Sequence, residues 1–263
     1  MHITMELIDT HCHLDFEQYF QPFKEALVRA KAAGINRIII PGVTRADWGR
    51  LMRICNSRQG VFGAPGLHPL YLAHHHPGHL QELEKLVHSC GADRPVAIGE
   101  IGLDYYVDTI DRTAQQQLFE QQLKIAAIAK LPVLLHVRKA HDQVLATLRR
   151  KHFCHGGIVH AFNGSLQQAE HYIKLGFGIG ICGTVTYDRA RRIRKVACQL
   201  PREALVLETD APDIPPAQHR NENNQPEYLV EVLDALATLR NEPREMVADY
   251  TSANANRILN LPA

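Results

Sequence analysis

PVLLHVRKAHDQVLATLRRKHFCHGGIVHAFNG, residues 132–164, contains one complete strand–helix–strand unit. Residues 132–137 form a short apolar run opened by Pro132, whose missing N–H is tolerated at a strand's first position. Apolar residues then recur at helical spacing over 140–152, and residues 157–160 return to a β-branched apolar run. The strands read as continuous apolar runs rather than alternating ones, as expected when both faces are covered.

Outward from this unit the pattern repeats. Runs at residues 7–9, 37–43, 61–67, 96–99, 176–182 and 204–209 bring the candidate strands to eight, and 23–33, 113–130, 165–175 and 189–200 read as helices between them. Gly34 and Gly176 stand where the first and sixth helices should close. Eight units of about 33 residues fill the chain without a linker, so the reading is one α/β domain over residues 1–263, a (β/α)8 TIM barrel, with one or two extra C-terminal helices in 241–260. An open Rossmann-like sheet is the weaker alternative, because no GxGxxG follows an early strand.

Composition narrows the function classes. Lys+Arg at 29 balance Asp+Glu at 28, and 45% hydrophobic residues exclude a disordered chain or one that coats nucleic acid through its net field. No CxxC occurs among Cys12, Cys55, Cys90, Cys154, Cys182 and Cys198, so thiolate zinc sites and a disulfide scaffold are excluded and the cysteines are expected reduced and mostly buried. Met1–Glu6 lacks a signal pattern and no apolar run is long enough for a bilayer, so a soluble cytoplasmic location is expected.

In a barrel, polar residues at the strand ends have no packing reason to be there. The first strand runs out in Asp9-Thr10-His11-Cys12-His13, and alternation sends His11 and His13 the same way, toward the barrel axis. Alone this His-x-His is weak, since 16 His in 263 residues produce about one by chance. His74, His75, His76 and His79 form such a cluster and are read as a solvated loop. Glu100 follows the fourth strand between Gly99 and Gly102, His136 and His160 end the fifth and sixth strands, and Asp210 stands at the rim after the eighth, before Pro212. Any one of these has a bland reading as a core or salt-bridged residue; together they point to metal. Four imidazoles and two carboxylates exceed one tetrahedral ion and suit two divalent ions about 3.5–4 Å apart, with nitrogen-rich ligation favouring Zn²⁺ or Mn²⁺ over Mg²⁺.

DTHCHLDF, GLHP, GEIGLDYY, PVLLHVRKA, HAFNG, LETDAP and NANRIL, in this order over nearly the whole chain, resemble the TatD family of metal-dependent hydrolases and deoxyribonucleases, within the wider amidohydrolase barrels. The resemblance implies His11, His13, Glu100, His136, His160 and Asp210 as metal ligands with Glu100 as the bridge, two divalent ions for which Mg²⁺ is often given, and hydrolysis of DNA phosphodiester bonds from the 3′ end. Asn163 in HAFNG departs from the family's more usual Ser and puts substrate contacts from that loop in doubt.

The mechanism expected is in-line attack on phosphorus by a water activated between two ions, with Asp210 binding metal and orienting or deprotonating that water. His68 in GLHP is the best unassigned imidazole, either a phosphate hydrogen-bond donor or leaving-group acid, or else a cap on the turn at Pro69. Glu208 should face inward one layer below Asp210 and support a ligand, while Arg138 and Tyr105 line the mouth. Arg189, Arg191, Arg192, Arg194 and Lys195 read first as a solvated helix face and second as a patch for a nucleic-acid backbone. DNA or a small phosphodiester is the expected partner, with no membrane and no obligate protein partner. The alternatives are an amidohydrolase acting on a cyclic amide, ester or base, and a silent metal-bound scaffold.

Overall fold

Apolar runs that are covered on both sides become parallel strands, and the computed structural model, which describes residues 6–16, 18, 23–88 and 94–262, contains eight. They are β1 (Leu7–Asp9), β2 (Ile35–Pro41), β3 (Val61–Ala64), β4 (Ile98–Asp104), β5 (Val133–Arg138), β6 (Gly157–Val159), β7 (Phe177–Ile181) and β8 (Leu205–Leu207). Between and after them lie α1 (Phe23–Ala32), α2 (Arg45–Asn56), α3 (Pro77–Val87), α4 (Arg112–Ala129), α5 (His141–Arg150), α6 (Leu166–Lys174), α7 (Arg191–Gln199), α8 (Leu229–Arg240) and α9 (Arg244–Leu259). Each strand is thus followed by a helix, and α9 is the single extra one.

The ladder runs in two parallel stretches, β1-β2-β3 and β4-β5-β6-β7-β8. Isolated hydrogen bonds close the ring. Val96 N–H donates to Gly63 O (3.0 Å) and Gly99 N–H to Pro65 O (3.2 Å) between β3 and β4, and Thr10 N–H donates to Leu207 O (3.1 Å) between β8 and β1. The α/β barrel expected from the alternation is the architecture.

Ile8, Ile39, Ala64, Leu134, Ile158 and Val206, drawn from six strands, meet Ala255 and Leu259 of α9 in one cluster. Residues of facing strands meet only along the barrel axis, so this cluster is the barrel interior. α9 closes its lower end: Ser252 donates to Glu6 O before β1, Asn256 accepts from Arg37 at the start of β2, and Asn254 donates to Arg202 O and Leu205 O at the start of β8. A larger apolar cluster fills the shell between strands and helices. With the lower end plugged, only the end where the strands stop can hold a site.

Four expectations need correction. β4 does not stop at residue 99; it runs through Glu100 to Asp104, because pairing with β5 continues to Arg138 and all seven of its residues are buried. β1 ends at Asp9, so His11 and His13 lie beyond it. Pro132 sits one residue before β5 rather than in it. Of the five described cysteines only Cys12 and Cys182 are buried, Cys55 is intermediate, and Cys154 and Cys198 are exposed; Cys90 lies outside the described residues, as do Met1–Met5. Gly34 (φ 90°) and Gly176 (φ 84°) do close α1 and α6 in the left-handed region. Among the described residues no helix is long and apolar enough to cross a membrane.

Candidate metal centre

Alternation, continued one residue past β6 to His160 and three past β8 to Asp210, accounts for three of the converging side chains. Leu134 and Ile158 point into the barrel, so His136 and His160, two residues on, point the same way nearer the mouth; Val206 inward likewise carries Glu208 and then Asp210. The other three need breaks in the rule. Ile8 points inward, which by strict alternation would select Thr10; instead the chain leaves β1 after Asp9, and Asp9 Oδ1 accepts from His11 N–H (3.2 Å). Its Oδ2 accepts the Thr209 hydroxyl (2.6 Å), tying β1 to β8, and burial raises the Asp9 carboxyl to about 7. In β4 a register shift between Ile98 and Ile101 delivers Glu100 to the axis.

All six expected residues come together, and His68 joins them. Glu100 lies at the centre. Its Oε2 is 3.3 Å from His11 Nε2 and 3.6 Å from His13 Nε2; its Oε1 is 2.8 Å from His136 Nδ1, 3.5 Å from His68 Nε2 and 3.7 Å from His160 Nε2. Asp210 closes the other side, with Oδ1 3.6 Å from His11 Nε2 and 3.8 Å from His13 Nε2, and Oδ2 3.7 Å from His160 Nε2. Three triads are close enough to hold an ion: His11, His13 and Asp210; His11, Glu100 and His160; His68, Glu100 and His136. Asp210 is buried rather than rim-exposed, with φ at 59°.

The electrostatics are those of carboxylates that demand cations. Burial works against a charged Glu100, yet His68, His11 and His160 hold it well below the usual carboxylate range. Burial likewise disfavours the charged His160, but Asp210, Glu208 and Glu100 overcome it and raise the ring to about 10. Burial pushes the Asp210 carboxyl up to about 7. Both nitrogens of His11, Nδ1 of His13 and Oε2 of Glu208 are buried without a hydrogen-bond partner. Burying such a group unpartnered costs about 1–3 kcal/mol, and of these four atoms His11 Nε2, which faces Glu100 and Asp210, is the one that a cation at the centre would satisfy. The donor set therefore fits a divalent metal.

Two carboxylates outside the expected six orient the rings. Asp104 Oδ2 accepts from His136 Nε2 (2.8 Å) and leaves Nδ1 aimed at Glu100; Glu208 Oε1 accepts from His160 Nδ1 (3.1 Å) and from Ala161 N–H (2.5 Å), leaving Nε2 aimed inward. Glu208 thus occupies the supporting position expected from LETD. Asp104 carries the same signal in the sequence, an acid where an apolar run stops in GLDY. Gly180 on β7 makes room for Glu208, since a Cβ there would overlap its carboxylate. Gly180→Ala is expected to displace Glu208 and lower metal affinity or turnover about 10–100-fold with the barrel intact; far-ultraviolet circular dichroism beside metal analysis checks it.

His68 serves both as cap and as part of the cluster. It precedes the 3₁₀ helix Pro69–His74, and its Nδ1 accepts from Leu70 N–H (3.1 Å) while Nε2 faces Glu100. Because Nδ1 is an acceptor, the ring carries its proton on Nε2. Burial lowers its pKa to about 4, in keeping with a neutral ring. His75 Nε2 meets His68 O (3.0 Å), and among the described residues His74, His75, His76 and His79 join no metal-capable group.

The remaining expectations sort by contact. Asn163 donates to Val137 O (3.1 Å) and Ala161 O (3.2 Å), and His141 Nε2 meets its Oδ1 (3.2 Å), so it braces the loop that carries His160. Arg138 lies over Tyr106, and Arg112 lies over Tyr105. Arg189, Arg191, Arg192 and Lys195 are exposed on or beside α7, and Arg194 is held by Val185 O and Asp188.

A family model described as TatD related DNase matches residues 8–260. The uncharacterized metal-dependent hydrolase YjjV of Escherichia coli K12 is 40% identical over 97% of this chain and 98% of its own, and the crystal structure of that TatD homolog superposes with a TM-score of 0.95 at 39% identity over 99% and 100% of the two chains. An uncharacterized metal-dependent hydrolase of Bacillus subtilis 168, YabD, is 32% identical over 97% of this chain and 99% of its own. An organophosphorus hydrolase mutant shares only the fold, with a TM-score of 0.69 at 13% identity over 97% and 93% of the chains. From its barrel, its buried cluster and these matches, the chain belongs to the TatD-related DNase family and is a metal-dependent hydrolase.

Proposed function

We propose that this enzyme hydrolyses phosphodiester bonds in DNA, as a 3′–5′ exonuclease-like deoxyribonuclease, using two divalent ions. The observation that carries the reading is the splay of Glu100, whose two oxygens face two different sets of imidazoles, His11 and His13 on one side and His136, His68 and His160 on the other. His11, His13, Asp210 and one oxygen of Glu100 would hold one cation, and His136, His160 and the other oxygen of Glu100 would hold the second. Bound there, Zn²⁺, Mn²⁺ or Mg²⁺ would neutralise the phosphoryl oxygens and lower the pKa of a water.

The chain's own groups do the rest. Asp210, whose carboxylate faces His11, His13 and His160, would accept a proton from the attacking water. His68 presents Nε2–H beside Glu100 and donates to a nonbridging phosphoryl oxygen; it is not a metal ligand, because that would require moving its proton onto Nδ1 against Leu70 N–H. Asp104 and Glu208 keep His136 and His160 from rotating.

The test is reconstitution with Zn²⁺, Mn²⁺ or Mg²⁺, elemental analysis, and assay on bis(p-nitrophenyl) phosphate, a 3′-labelled oligonucleotide, and a panel of lactones, esters and cyclic amides. Two equivalents of metal, phosphodiester turnover, and its loss on chelation followed by recovery on metal return are expected. Turnover confined to the carbonyl panel would favour the amidohydrolase reading, and no turnover with metal retained would favour a silent scaffold.

A further inference from the structure

Beyond Asp210 the chain runs through a long connection before α8 begins at Leu229, on the side of the barrel where the strands stop. The base of this connection is fixed. Asp213 N–H donates to Asp210 O (2.8 Å), and the buried Asn224 side chain donates to Thr209 O (2.8 Å), Asp213 O (2.8 Å) and Ile214 O (3.2 Å). Its flank is fixed to the connection after β7, where the Tyr187 hydroxyl donates to Pro215 O (2.9 Å) and the Thr186 hydroxyl accepts from Ala217 N–H (2.8 Å). Among the described residues, the hydrogen bonds that carry 218–223 onto α8 and the turn before it are those of His219 and Glu222.

His219 ends the 3₁₀ turn Ala217–His219. Its Nδ1 lies 2.8 Å from Glu222 Oε2 and its Nε2 2.8 Å from Glu231 Oε1 on α8. The ring lies flat on Tyr228, with centroids 3.7 Å apart and planes 8° from parallel, and the Tyr228 hydroxyl donates to Glu222 Oε2 (3.4 Å). A neutral imidazole has one N–H and one lone pair, so with a carboxylate on each nitrogen one contact would set a lone pair against an anion. Only the imidazolium donates to both, and a cation over a tyrosine face is itself favoured. Glu231 Oε2 is buried without a hydrogen-bond partner, and among the described residues His219 is the one group paired with that carboxylate.

The groups that face the ring are few. Its own turn supplies Glu222, the turn Pro226–Tyr228 supplies Tyr228, and α8 supplies Glu231; Gly183–Thr186, which packs against it, carries no titratable side chain. Glu227 is taken by Arg29 of α1 (2.6 Å), and Arg220 is exposed. Burial works against the charged ring, but Glu222 and Glu231 outweigh it and hold the pKa above the usual histidine value. A group raised in this way stabilises the fold fully below its unfolded pKa and loses that contribution as pH rises through the folded one.

We propose that His219 is a proton-operated latch on one wall of the barrel mouth: as imidazolium it clasps residues 218–223 to α8, and on losing its proton as pH rises it frees them. The wall that continues from Asp210 is then ordered in the protonated state and mobile in the deprotonated one. The latch stands apart from the metal centre and from the bond that the enzyme cleaves.

The experiment uses metal-reconstituted protein in two measurements. In an NMR titration the His219 ring, assigned by its loss in His219→Gln, is expected to titrate above about 6.5 and to fall toward that value in Glu222→Gln and in Glu231→Gln. In hydrogen exchange at about pH 6 and about pH 9, corrected for intrinsic rates, protection over 218–223 should fall about threefold or more relative to α4, the scale of two part-exposed ion pairs. In Glu231→Gln the same stretch should be less protected at the lower pH and show no such fall. Glu222 stands on an exposed turn, so its variant tests the same clasp independently of any effect of Glu231→Gln on folding. A His219 ring that titrates at or below the usual value, wild-type protection over 218–223 that does not change with pH, or variants that keep the wild-type pH response would overturn the latch.

Discussion

Replacing Glu100 with Gln should lower turnover of bis(p-nitrophenyl) phosphate by about 10³-fold or more and bring bound metal below two equivalents. The amide fills the same volume, but one of its two ends becomes an NH₂ group, which cannot ligate. Whichever way it turns, either the side facing His11 and His13 or the side facing His136, His68 and His160 meets a donor instead of an acceptor. Glu100→Asp separates charge from reach: it keeps the anion but withdraws it by one methylene, so it should retain one ion more readily than two. Elemental analysis beside initial rates is the check. Full metal content with a rate within tenfold of wild type in Glu100→Gln would mean that this carboxylate does not bridge.

His68→Ala should cost about 10²–10³ in kcat/KM, the loss expected for one preorganised donor to a developing oxyanion. Its leaving-group dependence separates two roles. A neutral ring whose Nδ1 already accepts from Leu70 N–H is a poor acid but a good hydrogen-bond donor through Nε2. The loss should therefore be similar for a nitrophenyl diester, whose leaving group needs no proton, and for an oligonucleotide, whose alkoxide does. A loss confined to the oligonucleotide would instead make His68 the leaving-group acid. Metal content should stay at the wild-type level in this variant, which distinguishes a donor from a ligand.

The strand-end rule located His136, His160 and Asp210 because one inward aliphatic on each strand, Leu134, Ile158 or Val206, sets the direction of every second residue after it. It placed His11 and His13 on a common side for the same reason. Their absolute direction followed from no local pattern, since the chain leaves β1 at Asp9 and is held there by bonds to Thr209, 200 residues away in sequence. Glu100 depended on a register shift in β4 that the neighbouring β5 imposes.

By itself the sequence determined the order of strands and helices, hence the barrel, and the identity of the six residues that end at its open face. Both are local properties: periodicity over a dozen residues, and polarity where an apolar run stops. Only the tertiary structure decided which oxygen of Glu100 faces which imidazoles, that His68 is pinned by Leu70 as a donor, and which ring each of Asp104 and Glu208 holds. Those facts are distances of a few ångström between strands far apart in the chain, and they exist only once the ring of strands has closed.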